Sequence, residues 1–280
     1  MFRIKIAFLA SFALLSPATA QDWRASPWVD FREASLRVLM PMPKDGAQEG
    51  EAGLEIRLAE GYKTYWRSPG DSGAPPVFDF STAQGMGAIT VEFPFPARFD
   101  DGAGGTAWGY KTNVILPIRF ERMPGTTPIL AFKLDFAVCG SMCIPLAAQM
   151  RFDPATGQTL AASDKDRIEQ TKKAVPTRLS SDEAGKVVRA VRLAGGTKPK
   201  WRIDIATPLE AARFWAFPEA KGYLATESAL AAGAGRISVI VTGEAMPGSG
   251  GMMGPARLTF GEKGQSFEAL LDLDGAPSAP

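Results

Sequence analysis

The sequence has no histidine and only two cysteines in 280 residues. Without an imidazole, Ser-His-Asp and Cys-His nucleophile systems are excluded, and a zinc site would have to be made from two thiolates and carboxylates. Neither sign of charge is in excess. The 31 basic and 30 acidic residues leave +1 at pH 7, with no basic run, so the electrostatic footprint of a nucleic-acid binder is missing. Beyond the first twenty residues every apolar run is cut by charge, Gly or Pro, and none approaches the ~20 residues of a spanning helix. Carboxylates paired across a scissile bond are also missing, since Asp100 and Asp101 are merely adjacent.

What is present begins with a leader. Arg3 and Lys5 precede an apolar run from Ile6 to Leu15, followed by Ala18-Thr19-Ala20. This is the pattern of a secretory signal peptide cleaved after Ala20, and it predicts export from the cytoplasm to a compartment where disulfides persist. The mature chain is then expected to have no transmembrane segment of its own. About 260 residues remain, enough for one large or two ordinary domains.

Residues 21–152 read as short strands separated by Gly and Pro clusters, which predicts a β-sandwich. Alternation is clearest at Leu130 to Val138, where Leu130, Phe132, Leu134, Phe136 and Val138 share one face and Lys133 and Asp135 the other. Ser68 to Gly73 reads as a turn, because it lacks the lysine and following helix of a phosphate loop. Residues 153–182 form a linker with a short polar helix, capped by Ser163 and ended before Pro176. Strand patterns return over 183–275, predicting a second, smaller all-β domain, and 276–280 is expected to fray. Met246, Met252 and Met253 sit in a Gly/Pro-rich stretch that reads as a mobile loop.

Both cysteines fall in Ala137-Val138-Cys139-Gly140-Ser141-Met142-Cys143-Ile144-Pro145. Four residues of straight strand span about 13 Å, too far for a bridge whose Cα atoms lie about 4.4–6.8 Å apart. A tight hairpin solves this: Cys139 ends one strand, Gly140-Ser141-Met142 turns with a residue in the left-handed region, and Cys143 begins the next. Parity puts Cys139 on the Lys133/Asp135 face, so both thiols are expected near the surface. A ring of about five residues contributes only ~2 kcal/mol as a staple. A small bridge near solvent is instead the labile kind. A metal clip needs more ligands than the motif offers. Redox exchange, a structural bridge and, with fewer ligands to support it, a Cu(I) site of Cys143 with methionines all remain open on these grounds.

Two further stretches accompany the cysteines: Tyr62-Lys63-Thr64-Tyr65-Trp66-Arg67-Ser68-Pro69-Gly70-Asp71-Ser72-Gly73 and Gly109-Tyr110-Lys111-Thr112-Asn113-Val114-Ile115-Leu116-Pro117. In this order and spacing, the sequence resembles the periplasmic N-terminal domain of the disulfide reductase DsbD and its ScsB-like relatives in the suppressor-of-copper-sensitivity group. The resemblance is close over roughly residues 30–150 and looser through the linker to the second β domain. It implies an immunoglobulin-like sandwich whose cysteine pair exchanges thiols and disulfides without cofactor or metal. Cys143 would form the mixed disulfide with a partner, and Cys139 would resolve it. A cap from Phe99 to Trp108 would shield the pair, with Phe99 and Trp108 as the shielding rings. Asp100 or Asp101 would assist proton movement, and Tyr65, Trp66 and Tyr110 would line the site. The chain holds neither a spanning region nor a Cys-x-x-Cys domain. Electrons would therefore come from a separate membrane thiol-electron transporter and pass to thioredoxin-like periplasmic proteins serving disulfide chemistry, cytochrome c maturation or copper resistance. The alternative is a redox-silent binding or accessory module with a structural Cys139–Cys143 bridge.

Overall fold

The computed structural model describes residues 21–70, 73–100, 105–195, 197–207, 215–220, 223–231, 235–244 and 253–279. The signal peptide expected at 1–20 and most of the methionine loop, including Met246 and Met252, lie outside them.

Strand Leu130–Cys139 follows its alternation. Leu130, Phe132, Leu134, Phe136 and Val138 are buried in the core, while Lys133 and Asp135 face solvent. Its sheet runs in the order Cys143–Phe152, Leu130–Cys139, Lys63–Gly70, Thr106–Tyr110, Ala97–Asp100, with Val77–Asp79 also paired to Leu130–Cys139. The facing sheet runs Gln158–Thr159, Trp23–Ala25, Ala34–Pro41, Glu49–Leu58, Val114–Arg122, Met86–Val91, with Val29–Asp30 beside Ala34–Pro41. Leu36, Val38, Leu54 and Ile118 of this sheet share one core with Trp66, Phe132 and Leu134 of the first. The result is the two-layer sandwich expected of all-β patterning.

Beyond residue 176 two smaller sheets form. One runs Thr177–Arg178, Gln265–Asp272, Pro255–Glu262, Trp215–Glu219, and the other Val188–Leu193, Lys200–Ala206, Arg236–Glu244, Tyr223–Ala231. They enclose a separate core that includes Ile203, Ile205, Val239, Val241, Leu258 and Phe260.

Four local expectations are corrected. Ser68 to Gly70 is not a turn but the end of strand Lys63–Gly70. Its ladder slips between Tyr65 and Gly70, so Pro69 withholds no regular hydrogen bond. The linker helix is Ala162–Ala174, with Ala161 at its N-cap and no side-chain cap, so Ser163 lies inside the first turn. Tertiary contacts hold it instead: Ile168 packs with Trp23, Leu39 and Ile115, and Asp164 and Arg167 join Arg37 and Glu55 in one ion-paired group. A second helix, Ser181–Val187, opens the stretch read as strand, with Ser180 and Glu183 forming a capping box. Hydrogen bonds from Ser180 hold the Glu183 carboxyl below its ordinary range. The C-terminal tail is tied down, because the Arg192 backbone bonds both Pro277 O and the Ala279 N–H. Among the described residues, no helix is long and apolar enough to cross a membrane.

Two expected outcomes follow from burial. Glu55 has no exposed side-chain surface and pairs with Arg37 and Arg167. Glu55→Ala removes the carboxylate shared by Arg37 and Arg167, leaves Asp164 as their remaining acidic partner, and should lower stability by roughly 2 kcal/mol, read as a fall in the urea midpoint. Burial pushes the Tyr110 phenol well above its ordinary value of 10.0, with its hydroxyl donating to Pro94 O at 2.8 Å. Its neutral form therefore stabilises the fold below about pH 10, and that contribution is lost as pH rises from there through the raised folded value. An absorbance titration at alkaline pH should show one phenol ionising late, together with unfolding, and Tyr110→Phe should remove that step.

Candidate functional site

The site begins with register. Leu130–Cys139 pairs with Cys143–Phe152 without a slip, from Leu130 opposite Phe152 to Cys139 opposite Cys143. That places the two Cα atoms 4.1 Å apart, and the sulfurs are bonded. The chain reverses over Gly140-Ser141-Met142, where the Gly140 N–H donates to Met142 O at 3.1 Å. The expected left-handed residue is not used, since none of Gly140, Ser141 and Met142 has a positive φ.

Parity held for Cys139, but its expected exposure did not. It lies on the face opposite the main core, with Ala137, and is only 2% exposed. A roof covers this end of the sheet. Lys63 is the ladder partner of Cys139 and Thr64 that of Val138, so Tyr65 lies on the cysteine side. Gly109 lies opposite both Tyr65 and Ala97, and Ala107 opposite Phe99, which carries the same face across two more strands. Tyr65, Phe99, Ala107, Ala137 and Cys139 form one buried cluster. Gly109 is required for this approach, since a Cβ there would lie 2.0 Å from Thr64 O. Cys143 is exposed, and next to it Met142 is 73% exposed at the tip of the turn.

Tyr65 is the polar centre of the site. Its buried hydroxyl lies 2.9 Å from Cys139 Sγ and 3.2 Å from Cys143 Sγ. The Phe99 ring packs on it at 6.1 Å between centroids. Gly73 also packs against Tyr65 and leaves room that no side chain could share, because a Cβ there would meet the Tyr65 ring at 2.3 Å. Lys63 Nζ sits 4.6 Å from the Phe99 centroid and donates to the Asp100 carbonyl at 3.0 Å, and Lys111 Nζ is 5.9 Å from the same ring. The cysteine segment contains no cation. Lys63 supplies one through pairing, a position only the register could reveal.

The remaining candidates separate by face. Trp108 pairs with Arg98 on the far side of the roof and meets Trp215 edge-on at 5.3 Å, so it does not cover the sulfurs beside Phe99. Trp66 and Tyr110 belong to the main sandwich core. Asp100 is exposed and contributes its carbonyl to Lys63, while Asp101 lies outside the described residues. Ala107 and Ala137, which sequence reasoning passed over, form the small-residue walls around Cys139.

With this geometry in place, the comparisons are consistent. Residues 38–153 match the family described as thiol:disulfide interchange protein DsbD, N-terminal. The fold is shared with the N-terminal periplasmic domain of ScsB from Proteus mirabilis, at TM-score 0.67 and 18% identity, over 91% of this chain and 99% of that one. No curated protein matches the chain. Residues 38–153, which carry the Cys139–Cys143 disulfide, thus match the DsbD N-terminal family, and the chain shares the immunoglobulin-like fold of the ScsB domain.

Because Phe99 covers Tyr65 and helps bury Cys139, Phe99→Ala should open the disulfide to small reagents. Reduction by dithiothreitol, followed by quenching and thiol counting, is expected to be several-fold faster than in the parent protein.

Proposed function

We propose that this DsbD/ScsB-like domain is a periplasmic thiol-disulfide exchange module, passing reducing equivalents between thioredoxin-like partners through Cys139 and Cys143. The observation that carries the reading is the asymmetry of the pair: Cys143 is exposed, and Cys139 is buried beneath Tyr65. A bridge meant only to staple a hairpin gains nothing from such a division, and closing a five-residue ring contributes only about 2 kcal/mol.

The chemistry follows from access. A partner thiolate attacks Cys143 Sγ, forming the intermolecular S–S bond as the Cys139–Cys143 bond breaks, and the electron pair leaves on Cys139 Sγ. The Tyr65 hydroxyl is 2.9 Å from that sulfur and donates a hydrogen bond to the new thiolate. A second partner thiolate then attacks the partner's sulfur in the mixed disulfide and releases Cys143 as a thiolate. The partner is oxidised to its own disulfide, and the carrier's two thiolates take protons from solvent to leave it as a dithiol. In the donating direction, Cys143 thiolate attacks a client disulfide. Cys139 thiolate, formed by proton loss to solvent, then resolves the mixed disulfide and restores the bridge.

The edge around Cys143 suits transient docking. Strand Cys143–Phe152 ends its sheet, and among the described residues Leu130–Cys139 is its ladder partner on one side only. Pro145, two residues in, removes an N–H and limits open-ended strand addition there. The supply of electrons by a separate membrane thiol transporter, and clients in disulfide, cytochrome c or copper-resistance chemistry, belong to this proposal.

Trapping tests it. Cys139→Ala incubated with periplasmic thioredoxin-like proteins should accumulate mixed disulfides through Cys143, while Cys143→Ala should give few. A parent disulfide whose potential lies below about −300 mV, the range of structural bridges, together with no trapped species, would instead support the structural role.

A further inference from the structure

We infer that Arg67 is a positioning residue for the disulfide site, tying the roof over Cys139 to the C-terminal sheets, so that docking between the two halves governs access to the sulfurs. The inference rests on the exchange reading for its significance, but its geometry stands independently.

Arg67 lies two residues after Tyr65 on strand Lys63–Gly70. Its guanidinium spends its donors on the other half of the molecule. Nε reaches Glu219 Oε1 and Oε2 at 3.2 and 3.1 Å, and Nη2 reaches Glu219 Oε2, Thr259 Oγ1 and Glu268 Oε2, each at 2.8 Å. These acceptors sit on three adjacent strands, Trp215–Glu219, Pro255–Glu262 and Gln265–Asp272. Thr259 and Glu268 are buried, and the forked geometry holds the arginine in one orientation.

The other two roof strands are attached in the same manner. Ala107 walls Cys139, and the next residue, Trp108, meets Trp215 edge-on. Phe99 covers Tyr65, and the preceding residue, Arg98, lies 5.9 Å from the Trp108 centroid and 5.1 Å from that of Trp215. Each roof strand therefore turns one residue to the sulfurs and a near neighbour to the C-terminal sheets. Arg67 matters most because the backbone ladder between Lys63–Gly70 and Thr106–Tyr110 is interrupted between Tyr65 and Gly70. In that stretch the side-chain anchor does what regular pairing would otherwise do.

Releasing the anchor lets the Tyr65 end of the strand open without unfolding either core, a local opening and not a global one. In the full chain, Arg67→Ala should speed reduction of the disulfide by dithiothreitol about tenfold, within the range of ordinary coupling between two sites. Arg67→Lys, which keeps charge but loses the fork, should fall between. Arg167→Ala serves as the comparator: it loses ion pairs to Glu55 and Asp164 at the linker helix. It should lower the melting temperature yet leave the reduction rate within about twofold of the parent, since additivity holds for distant sites. Hydrogen exchange should show lost protection at Tyr65 and Cys139 in Arg67→Ala only. If that variant does not fold, Glu219→Gln and Arg67→Lys carry the comparison. Equal reduction rates in parent and Arg67 or Glu219 variants, or an equal acceleration in Arg167→Ala, overturn the positioning role. Failure of the parent to exchange with any protein thiol would overturn the functional reading alone.

Discussion

The site depends on one register. Leu130–Cys139 and Cys143–Phe152 pair rung for rung, and a slip of a single residue would turn the Leu-Phe face to solvent and carry the two cysteines out of opposition. The same strand that fills the sandwich core thus holds the disulfide on its reverse side. Core packing of Phe132, Leu134 and Phe136 is what keeps the sulfurs where they are. Hydrophobic burial, which has no chemical specificity of its own, becomes the positioning device for a covalent bond.

On that base the two cysteines acquire different environments. Covalently they are equivalent, but Cys139 ends a strand that passes beneath the roof and Cys143 starts one at the sheet edge. The roof is built around Tyr65, which packs against Phe99 and Gly73 with its hydroxyl on both sulfurs. A buried hydroxyl needs a hydrogen-bonding partner, and both sulfurs lie within reach of this one. Lys63 and Lys111 lie near the Phe99 ring, so the apolar roof carries cations beside it.

The C-terminal sheets bear on the same roof. Glu268 receives Arg67 and also faces Arg178 and Arg257 at 3.4 Å. This concentrates guanidinium groups around one largely buried carboxylate, while Glu219 takes the forked Nε and Nη2 donors of Arg67 on its own carboxylate. Such a network is directional where hydrophobic contact is not, and it fixes the relative placement of two cores that also meet where Trp108 and Arg98 approach Trp215.

Much of this was readable from residue order. Period-two alternation marked Leu130 to Val138 as a half-buried strand, the Cys-x-x-x-Cys spacing required a hairpin, and three ordered motifs carried the resemblance that residues 38–153 bear out. These are local properties: pleat parity and chain reach follow from bond geometry whatever the rest of the chain does. The capping box at Ser180 and Glu183 was equally local, and was legible though not read. The burial of Cys139, the separation of Phe99 from Trp108, the cation brought by Lys63 and the reach of Arg67 to Glu219 were not legible. Each depends on which strands become neighbours across tens to more than a hundred residues, and parity within a strand cannot say what covers its outer face. The sequence alone determined that the two thiols meet; only the tertiary structure decided which of them is shielded, because shielding comes from side chains on strands paired at long range.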